Sequence, residues 1–322
     1  MELSLPTRSM TSTRPAVLLT RRVPSSIQAK LEAVCDLHVE ESALSPDELR
    51  EKVRGKAGLI CVLTDRIDDA LLDAAPDLRI VANIAVGYDN IDVRAAAARG
   101  VAVTNTPDVL TEATAELTWA LILTAARRIG EGERLIRRGA WKGWAIDFML
   151  GTELRGKQLG IIARGRIGRA VAAKAPAFGM TAKFAKEDMS TDELLVSSDV
   201  ISVNTSLRPD TRHLIDRRAL MRMKRSAILI NTARGPVIDE EALAWALKER
   251  LIAAAALDVY EREPIVQEEL LAMENIVLAP HLGSATRETR TAMIDLAVSN
   301  VIEVLSGRPP LTPVRPAAAS KS

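Results

Sequence analysis

An α/β protein of two domains, each a doubly wound parallel sheet, is the fold class that the sequence predicts, and three observations predict it. The chain has 322 residues, enough at roughly 150 residues per domain for two sizeable cores. Short apolar runs alternate with helical patterns in two separate series, as parallel strands covered on both faces require. Between the series lies one much longer helical stretch, Thr111 to Gly139, which reads as the boundary.

The first series runs from Ala16 to Thr106. Its strands are AVLLT, DLHVE, AGLICVL, RIVANIA and VAVTNT, separated by the helices SSIQAKLEAVC, SPDELREKV, DDALLDAAP and DVRAAAARG. The second series starts at Gln158 with the strand QLGIIA and a helix from Arg166, then MTAKFA, DELLVSS, DVISVNT, RRALMRM, SAILINTA, EEALAWALKER, AAAALDV and NIVLAPH. A final helix, Thr286 to Leu305, is long enough to cross back and complete the first domain. That domain is therefore read as residues 1-107 plus 294-322, and the second as 108-293.

Composition excludes several classes of function. The 43 Lys and Arg balance 42 Asp and Glu, for a net charge of +1, so no general positive field points to nucleic acid or an anionic membrane. The longest apolar run, Leu117 to Ala126, falls short of the ~20 residues that span a bilayer. Cys35 and Cys61, the two cysteines, show no CxxC or Cys/His spacing, which argues against a disulfide framework or thiolate metal site and for the reduced cytoplasm. No metal is expected. Residues 1–14 lack the apolar core of a secretory signal and read as a loose tail with a second start available at Met10. The C-terminal RPAAASKS reads as frayed.

In open α/β sheets ligands bind beyond the carboxyl ends of the strands, so the residues after each apolar run carry the functional signal. After QLGII comes Ala163-Arg164-Gly165-Arg166-Ile167-Gly168, a dinucleotide-binding G-x-G-x-x-G with alanine for its first glycine. Its glycines let backbone approach a pyrophosphate, which the helix N-terminus and Arg166 favour; the alternative is a structural turn. Arg234, in ILINTARGPVID, can hold a carboxylate in a bidentate fork or can be a surface arginine. Glu263 and His281 lie at strand ends of the same predicted sheet, where the histidine is a proton donor or a core residue. His38 and His213, the other two histidines, show no evident partner.

Taken together, LTDRID, VGYDNID, VTNTPDVLTEATAEL, GAWKGW, LRGKQLGI, GRIGRAV, NTARGPVIDEEAL, ALDVYEREP and LAPHLGSAT resemble the D-isomer-specific 2-hydroxyacid dehydrogenases over nearly the whole chain, most closely the glyoxylate/hydroxypyruvate reductase branch. The resemblance implies Rossmann/flavodoxin-like sheets, a substrate-binding first domain, a dinucleotide-binding second domain and an active-site cleft between them. It implies NAD(P)H-dependent, reversible reduction of a small 2-oxoacid by catalytic Arg234, Glu263 and His281. Arg234 anchors the carboxylate, His281 protonates the developing alkoxide, and Glu263 holds the imidazole and raises its pKa. The cofactor residues it implies are Thr114, Gly165, Arg166, Ile167, Gly168, Lys186, Thr205, Thr232, Ala233, Asp258 and Gly283. Leu63, Val86, Gly87, Arg234 and Trp144 are the implied substrate contacts, Trp144 by reaching a neighbouring subunit's site. The helix with Trp119 matches a dimerisation region, so a homodimer is expected. Glu263 stands where formate dehydrogenases carry glutamine and Val86 where phosphite dehydrogenases carry lysine, which disfavours both; no regulatory domain follows the second sheet, against a long-form phosphoglycerate dehydrogenase.

Two departures bear on the cofactor. Ala163 places a methyl group in the glycine turn, next to an unusual Arg164. From Ala185 to Asp199 the chain has only KEDMSTDELLVSS, where relatives fit a ribose-reading loop, a strand and a helix. Lys186 falls near the aspartate of NAD-preferring members, where a cation suits the 2′-phosphate, so the reading leans to NADPH over NADH. Asn204-Thr205-Ser206 also replaces a usual His-x-Pro. These departures define the alternative, a degenerate non-catalytic binding protein with an impaired cofactor site.

Overall fold

The computed structural model describes residues 14–316. The expected N-terminal tail, Met10 included, and most of the expected C-terminal fray lie outside the described residues. The chain divides into two units, one drawn from the residues up to Pro107 and from Thr291 onward, the other from Asp108–Arg290.

The first unit carries β1 (Ala16–Leu19), β2 (Asp36–Val39), β3 (Gly58–Cys61), β4 (Ile80–Asn83) and β5 (Ala102–Thr104) in the all-parallel order β2-β1-β3-β4-β5. This is the flavodoxin-like arrangement. Helices α1 (Ser25–Glu32), α2 (Pro46–Lys52), α3 (Asp69–Ala74) and α4 (Val93–Ala98) are the connections. Polar side chains start three of them: Ser45 closes a capping box with Glu48 on α2, and Asp68 and Asp92 accept the N3 amides of α3 and α4. The central strands β3 and β4 are buried throughout, as continuous apolar runs require, whereas β2 alternates on the sheet edge. One face of the sheet is packed by Val17, Leu19, Ile60 and Ile80 with Ala297, Val298 and Val301, so the closing helix supplies part of this core.

The second unit holds α5 (Thr111–Ala126), α6 (Ile129–Arg137), β6 (Gln158–Ile162), α7 (Arg166–Lys174), β7 (Thr181–Phe184), α8 (Thr191–Ser197), β8 (Val200–Val203), α9 (Arg217–Arg222), β9 (Ile228–Asn231), α10 (Glu240–Lys248), β10 (Ala254–Leu257), α11 (Glu268–Leu271) and β11 (Ile276–Leu278). The closing helix α12 (Arg287–Leu305) follows. Its six strands are parallel in the order β11-β10-β9-β8-β6-β7. Both doubly wound sheets expected from the sequence are therefore present.

One expected element is corrected. The single helix read from Thr111 to Gly139 is two, because Arg128 takes a left-handed backbone (φ 55°) between α5 and α6. The Thr152 amide takes the Ala126 carbonyl at 2.7 Å, and Gly151 lies so close that a Cβ there would stand 2.5 Å from that oxygen. A chain crossing the end of α5 replaces the next helical turn. Trp119, on α5, is a core residue, 4% exposed, stacked on Phe178 and donating its indole N–H to the Val171 carbonyl at 3.0 Å.

Candidate active site

The order β11-β10-β9 with Leu257 opposite both Asn231 and Leu278 brings three strand ends level. Arg234, Asp258, Glu263 and His281 all follow those ends. The sequence-predicted trio thus shares one rim of one sheet.

His281 and Glu263 form the centre of this rim. His281 Nδ1 lies 2.8 Å from Glu263 Oε2, while Glu263 Oε1 accepts the Tyr260 amide at 3.1 Å. Burial pushes the Glu263 carboxyl up, but the hydrogen bond from His281, the charges of His281 and Arg234 and the Tyr260 amide outweigh it and hold the group below the usual glutamate range. An ionised Glu263 on Nδ1 leaves Nε2 as the imidazole nitrogen that can give a proton elsewhere. His281 itself has a left-handed backbone, φ 54°, a conformation that concentrates at functional sites because it must be held in place.

Asp258 holds it. Its carboxylate is 1% exposed and accepts the amides of Leu282 at 2.6 Å and Gly283 at 2.8 Å, while its carbonyl accepts the His281 amide at 2.9 Å. Burial raises its pKa against the lowering effect of those amides and of His281. The sequence reading gave Asp258 only a cofactor contact; its role in fixing the histidine loop was missed. Thr114 joins the same loop by donating to the Gly283 carbonyl at 3.1 Å.

Arg234 is placed by backbone packing. A Cβ on Gly235 would stand 1.8 Å from the carbonyl carbon of Tyr260 and 2.3 Å from the Glu261 nitrogen, so the arginine loop and the Tyr260–Glu263 loop touch main chain to main chain. Only glycine permits that approach. The Asn231 amide holds the Arg234 carbonyl at 3.0 Å, the Asn231 carbonyl oxygen accepts the Ala233 amide at 3.0 Å, and the guanidinium donates to the Ala233 carbonyl at 2.8 Å. Tyr260 donates to the Ala279 carbonyl at 2.9 Å, and burial pushes its hydroxyl up to about 12. The Glu261 amide donates to the Glu240 carboxylate at 2.7 Å, and the Glu240 amide to the Glu261 carboxylate at 3.1 Å. His213, read as partnerless, has Glu261 Oε1 3.0 Å from its Nε2, and His38 has Asp36 at 3.3 Å; both readings are corrected. Glu261 is brought to His213 only by the fold, whereas Asp36 stands on the same strand as His38, where the spacing already carried the signal.

The strand order reverses between β6 and β8, the switch point where open sheets take ligands. After β6, Gly165 caps α7 with no side-chain hydrogen bond to its first amides, and a Cβ added there would meet nothing within 4 Å. Gly168 is tighter, with a Cβ position 2.3 Å from the Ala163 carbonyl. Ala163 has φ 79°, so the position does demand the conformation that glycine adopts freely. Ile167 is half-buried on the core side, while Arg166 pairs with Asp108. After β8, Asn204 buries an Nδ2 without a partner, and Thr205 is 8% exposed. Thr232 shares a 2.9 Å hydroxyl contact with Thr118. An open glycine turn, uncapped helix amides and an unsatisfied amide donor fit a dinucleotide. Among the described residues no cluster of His, Cys, Asp and Glu could hold a metal.

The opposite edge is bare by comparison. Strand β7 pairs with β6 alone and is followed by a tight turn: the Lys186 amide donates to the Met189 carbonyl at 2.7 Å, and the Asp188 carboxylate folds back to accept the Phe184 amide at 2.7 Å. Ser190 then caps α8 in a box with Glu193. No strand or helix stands between, as the short segment implied. Lys186 has φ 73°, and the Arg164 guanidinium lies 5.5 Å from the Phe184 ring centroid.

Leu63, Val86 and Gly87 belong to the first unit, Leu63 in the turn after β3 and the other two in the loop after β4. Trp144 is 82% exposed, in a stretch with exposed Trp141, Ile146 and Leu150.

The sequence profile described as "D-isomer specific 2-hydroxyacid dehydrogenase, NAD binding domain" matches residues 119–283. The chain is 47% identical to a glyoxylate reductase of Aeropyrum pernix over 317 positions, covering 92% of this chain and 95% of that protein. It is 44% identical to the glyoxylate reductase of Thermofilum pendens over 316 positions, covering 92% and 93%. Those alignments are longer than the 92% of the 322-residue chain that they take in, so the relatives carry residues for which this chain has none. The crystal structure of an NADPH-dependent glyoxylate/hydroxypyruvate reductase from Sinorhizobium meliloti in complex with NADP and malonate superimposes with a TM-score of 0.84 at 34% identity, over 95% of this chain and all of that one.

Proposed function

The chain belongs to the D-isomer specific 2-hydroxyacid dehydrogenases, and from that premise we propose that it reduces glyoxylate, and by the same chemistry hydroxypyruvate, to the 2-hydroxyacid. The observation that carries the reading is the 2.8 Å His281–Glu263 pair on the rim that also bears Arg234. A bound reduced nicotinamide supplies the hydride for the carbonyl carbon. Arg234 offers a fork of N–H donors to the carboxylate and carbonyl of a 2-oxoacid, orienting it and stabilising charge on the carbonyl oxygen. As that oxygen becomes an alkoxide, His281 gives it the Nε2 proton, and the resulting neutral imidazole keeps its Nδ1–H on Glu263. In the oxidative direction the same nitrogen takes the proton back. Asp258 keeps the histidine loop in register throughout.

Thr114, Gly165, Arg166, Ile167, Gly168, Thr205, Thr232, Ala233, Asp258 and Gly283 are the residues proposed to line the dinucleotide site, and Leu63, Val86, Gly87 and Trp144 the further substrate contacts. For the cofactor we favour NADPH, because Lys186 and Arg164 put two cations at the end of β7, with Asp188 turned back into its own backbone. Lys186→Ala should weaken NADPH binding several-fold and leave NADH unchanged; equal losses would remove the preference. The exposed Trp141, Trp144, Ile146 and Leu150 support a homodimer, since such a patch is rarely left to water. Sedimentation at the mass of one 34.9 kDa chain would refute it. Two unpaired, buried cysteines fit the cytoplasm.

The test is a titration with NADPH and NADH, followed by nicotinamide fluorescence, with glyoxylate then added. Binding and subsequent loss of the reduced-nicotinamide signal is the expected result. Absence of binding to either nucleotide at millimolar concentration would favour the non-catalytic alternative.

A further inference from the structure

In the loop after β4 the carbonyls of Ala85, Val86 and Gly87 are hydrogen-bonded and the amides that follow them are not. The Ala85 carbonyl accepts the Thr106 amide at 2.9 Å, the Val86 carbonyl accepts Asn105 Nδ2 at 2.8 Å, and the Gly87 carbonyl accepts Asn83 Nδ2 at 2.8 Å. A trans peptide is planar, with its N–H antiparallel to its C=O. Pinning three successive carbonyls therefore sets the directions of the Val86, Gly87 and Tyr88 amides. The first two carbonyls both face the end of β5, so the amides of Val86 and Gly87 share the opposite side. Among the described residues none of the three amides donates to a protein acceptor.

We propose that Asn105 and Asn83 are positioning residues for the substrate carboxylate, fixing the amides that receive it. The inference rests on the reading that Val86 and Gly87 contact that group. Both asparagines are themselves braced. The Asn105 carbonyl accepts the Thr312 hydroxyl at 2.6 Å, and Thr312 exchanges hydrogen bonds of 2.9 and 3.0 Å with Asn300, which is wholly buried on α12. Asn83, also wholly buried, reaches Asn90 Oδ1 at 3.2 Å, and Asn90 Nδ2 donates to the carbonyls of Asp65 at 2.9 Å and Val62 at 3.2 Å. Free amides backed by a rigid polar lattice are suited to a small anion, whose hydrogen bonds to fixed N–H groups need no reorganisation.

The probe is oxalate, a two-carbon carboxylate with no carbonyl to reduce, titrated onto the enzyme–NADPH complex alongside glyoxylate kinetics. Asn105→Ala is expected to raise the oxalate Kd and the glyoxylate KM about tenfold, the loss of one hydrogen bond, with kcat and the NADPH Kd within about twofold. Asn105→Asp has the same shape but turns an acceptor toward the Val86 carbonyl and adds a negative charge, so it should weaken oxalate more than alanine does. Unchanged oxalate affinity in both variants overturns the proposal, as does an equal loss in kcat or NADPH affinity, which marks a merely structural role. Asn105-dependent oxalate binding in a protein that does not turn over glyoxylate would sink the proposed function and leave this inference standing. Failure of the unaltered protein to bind oxalate at millimolar concentration overturns the inference whatever its turnover.

Discussion

The two flanks of the six-stranded sheet are built to different standards. On the flank β9-β10-β11 the carboxylates of Glu263 and Asp258 are each held by two hydrogen bonds, one of Glu263's being the His281 imidazole, and backbone meets backbone at Gly235. On the flank β6-β7 the glycine turn carries an alanine, and the loop after β7 closes on itself. Chemistry that moves a proton needs fixed distances, whereas a nucleotide held by several separate contacts loses affinity in increments. The difference implies that substitutions on the first flank act steeply and those on the second gradually.

The steepest test is His281→Ala, expected to lower kcat by about 10²- to 10⁴-fold while the NADPH Kd, read by fluorescence, stays within about twofold. Near-normal turnover would refute the acid and erase the contrast between the flanks. Gly235→Ala follows, because its methyl group has no space against Tyr260. Thermal melts should show a loss of several kcal/mol, as for other forced main-chain displacements; a melt equal to that of the unaltered chain would mean that the loops can part freely.

Acid titration sharpens the contrast with a sign. The depressed folded-state pKa of Glu263 contributes stability that is fully present above its unfolded value, about 4.3, and is lost as pH falls through the lower folded value. The advantage in melting temperature of the unaltered protein over Glu263→Gln should therefore be largest near neutrality and close as pH falls below that range. Asp258, raised chiefly by burial and to a smaller extent by the charge of Glu263, titrates with the opposite sign in both proteins. A gap that widens in acid would contradict the assignment.

The mildest change is Ala163→Gly. A left-handed alanine costs about 1 kcal/mol relative to glycine, so the variant should melt a few degrees higher and bind NADPH somewhat more tightly. Lower stability would show that Ala163 is accommodated without strain.

Much of this was legible in the residues. Continuous apolar runs such as GLIC and ILIN gave the buried central strands, and the alternation in DLHV gave an edge. Arg234, Glu263 and His281 stood out because each follows a strand of one sheet, and the missing strand after β7 could be counted from the shortness of KEDMSTDELLVSS. What stayed hidden depends on contacts across sequence. Nothing near Arg128 announces the end of α5, which is set by Thr152 passing over Ala126. Asp258 as the brace of the His281 loop, Gly235 as a close approach, and Asn83 and Asn105 as carbonyl clamps each need a partner 4 to 25 residues away. A glycine before proline reads as a turn, and an asparagine at a strand end reads as a cap. Signals of that kind become specific only when the neighbouring strand is known.

The helix α12 sets a timetable for synthesis. Val17, Ile60 and Ile80 finish their core against Ala297, Val298 and Val301, and ribosomes take on the order of 10–40 s to make the roughly 200 residues in between. During that interval the first sheet waits with one apolar face covered only in part, by Ile27 and Leu31 of α1, while the second unit, continuous in sequence, can complete itself from its own chain. The nascent first half is thus the stretch most in need of chaperone cover, and the last helix is the step that ends its exposure.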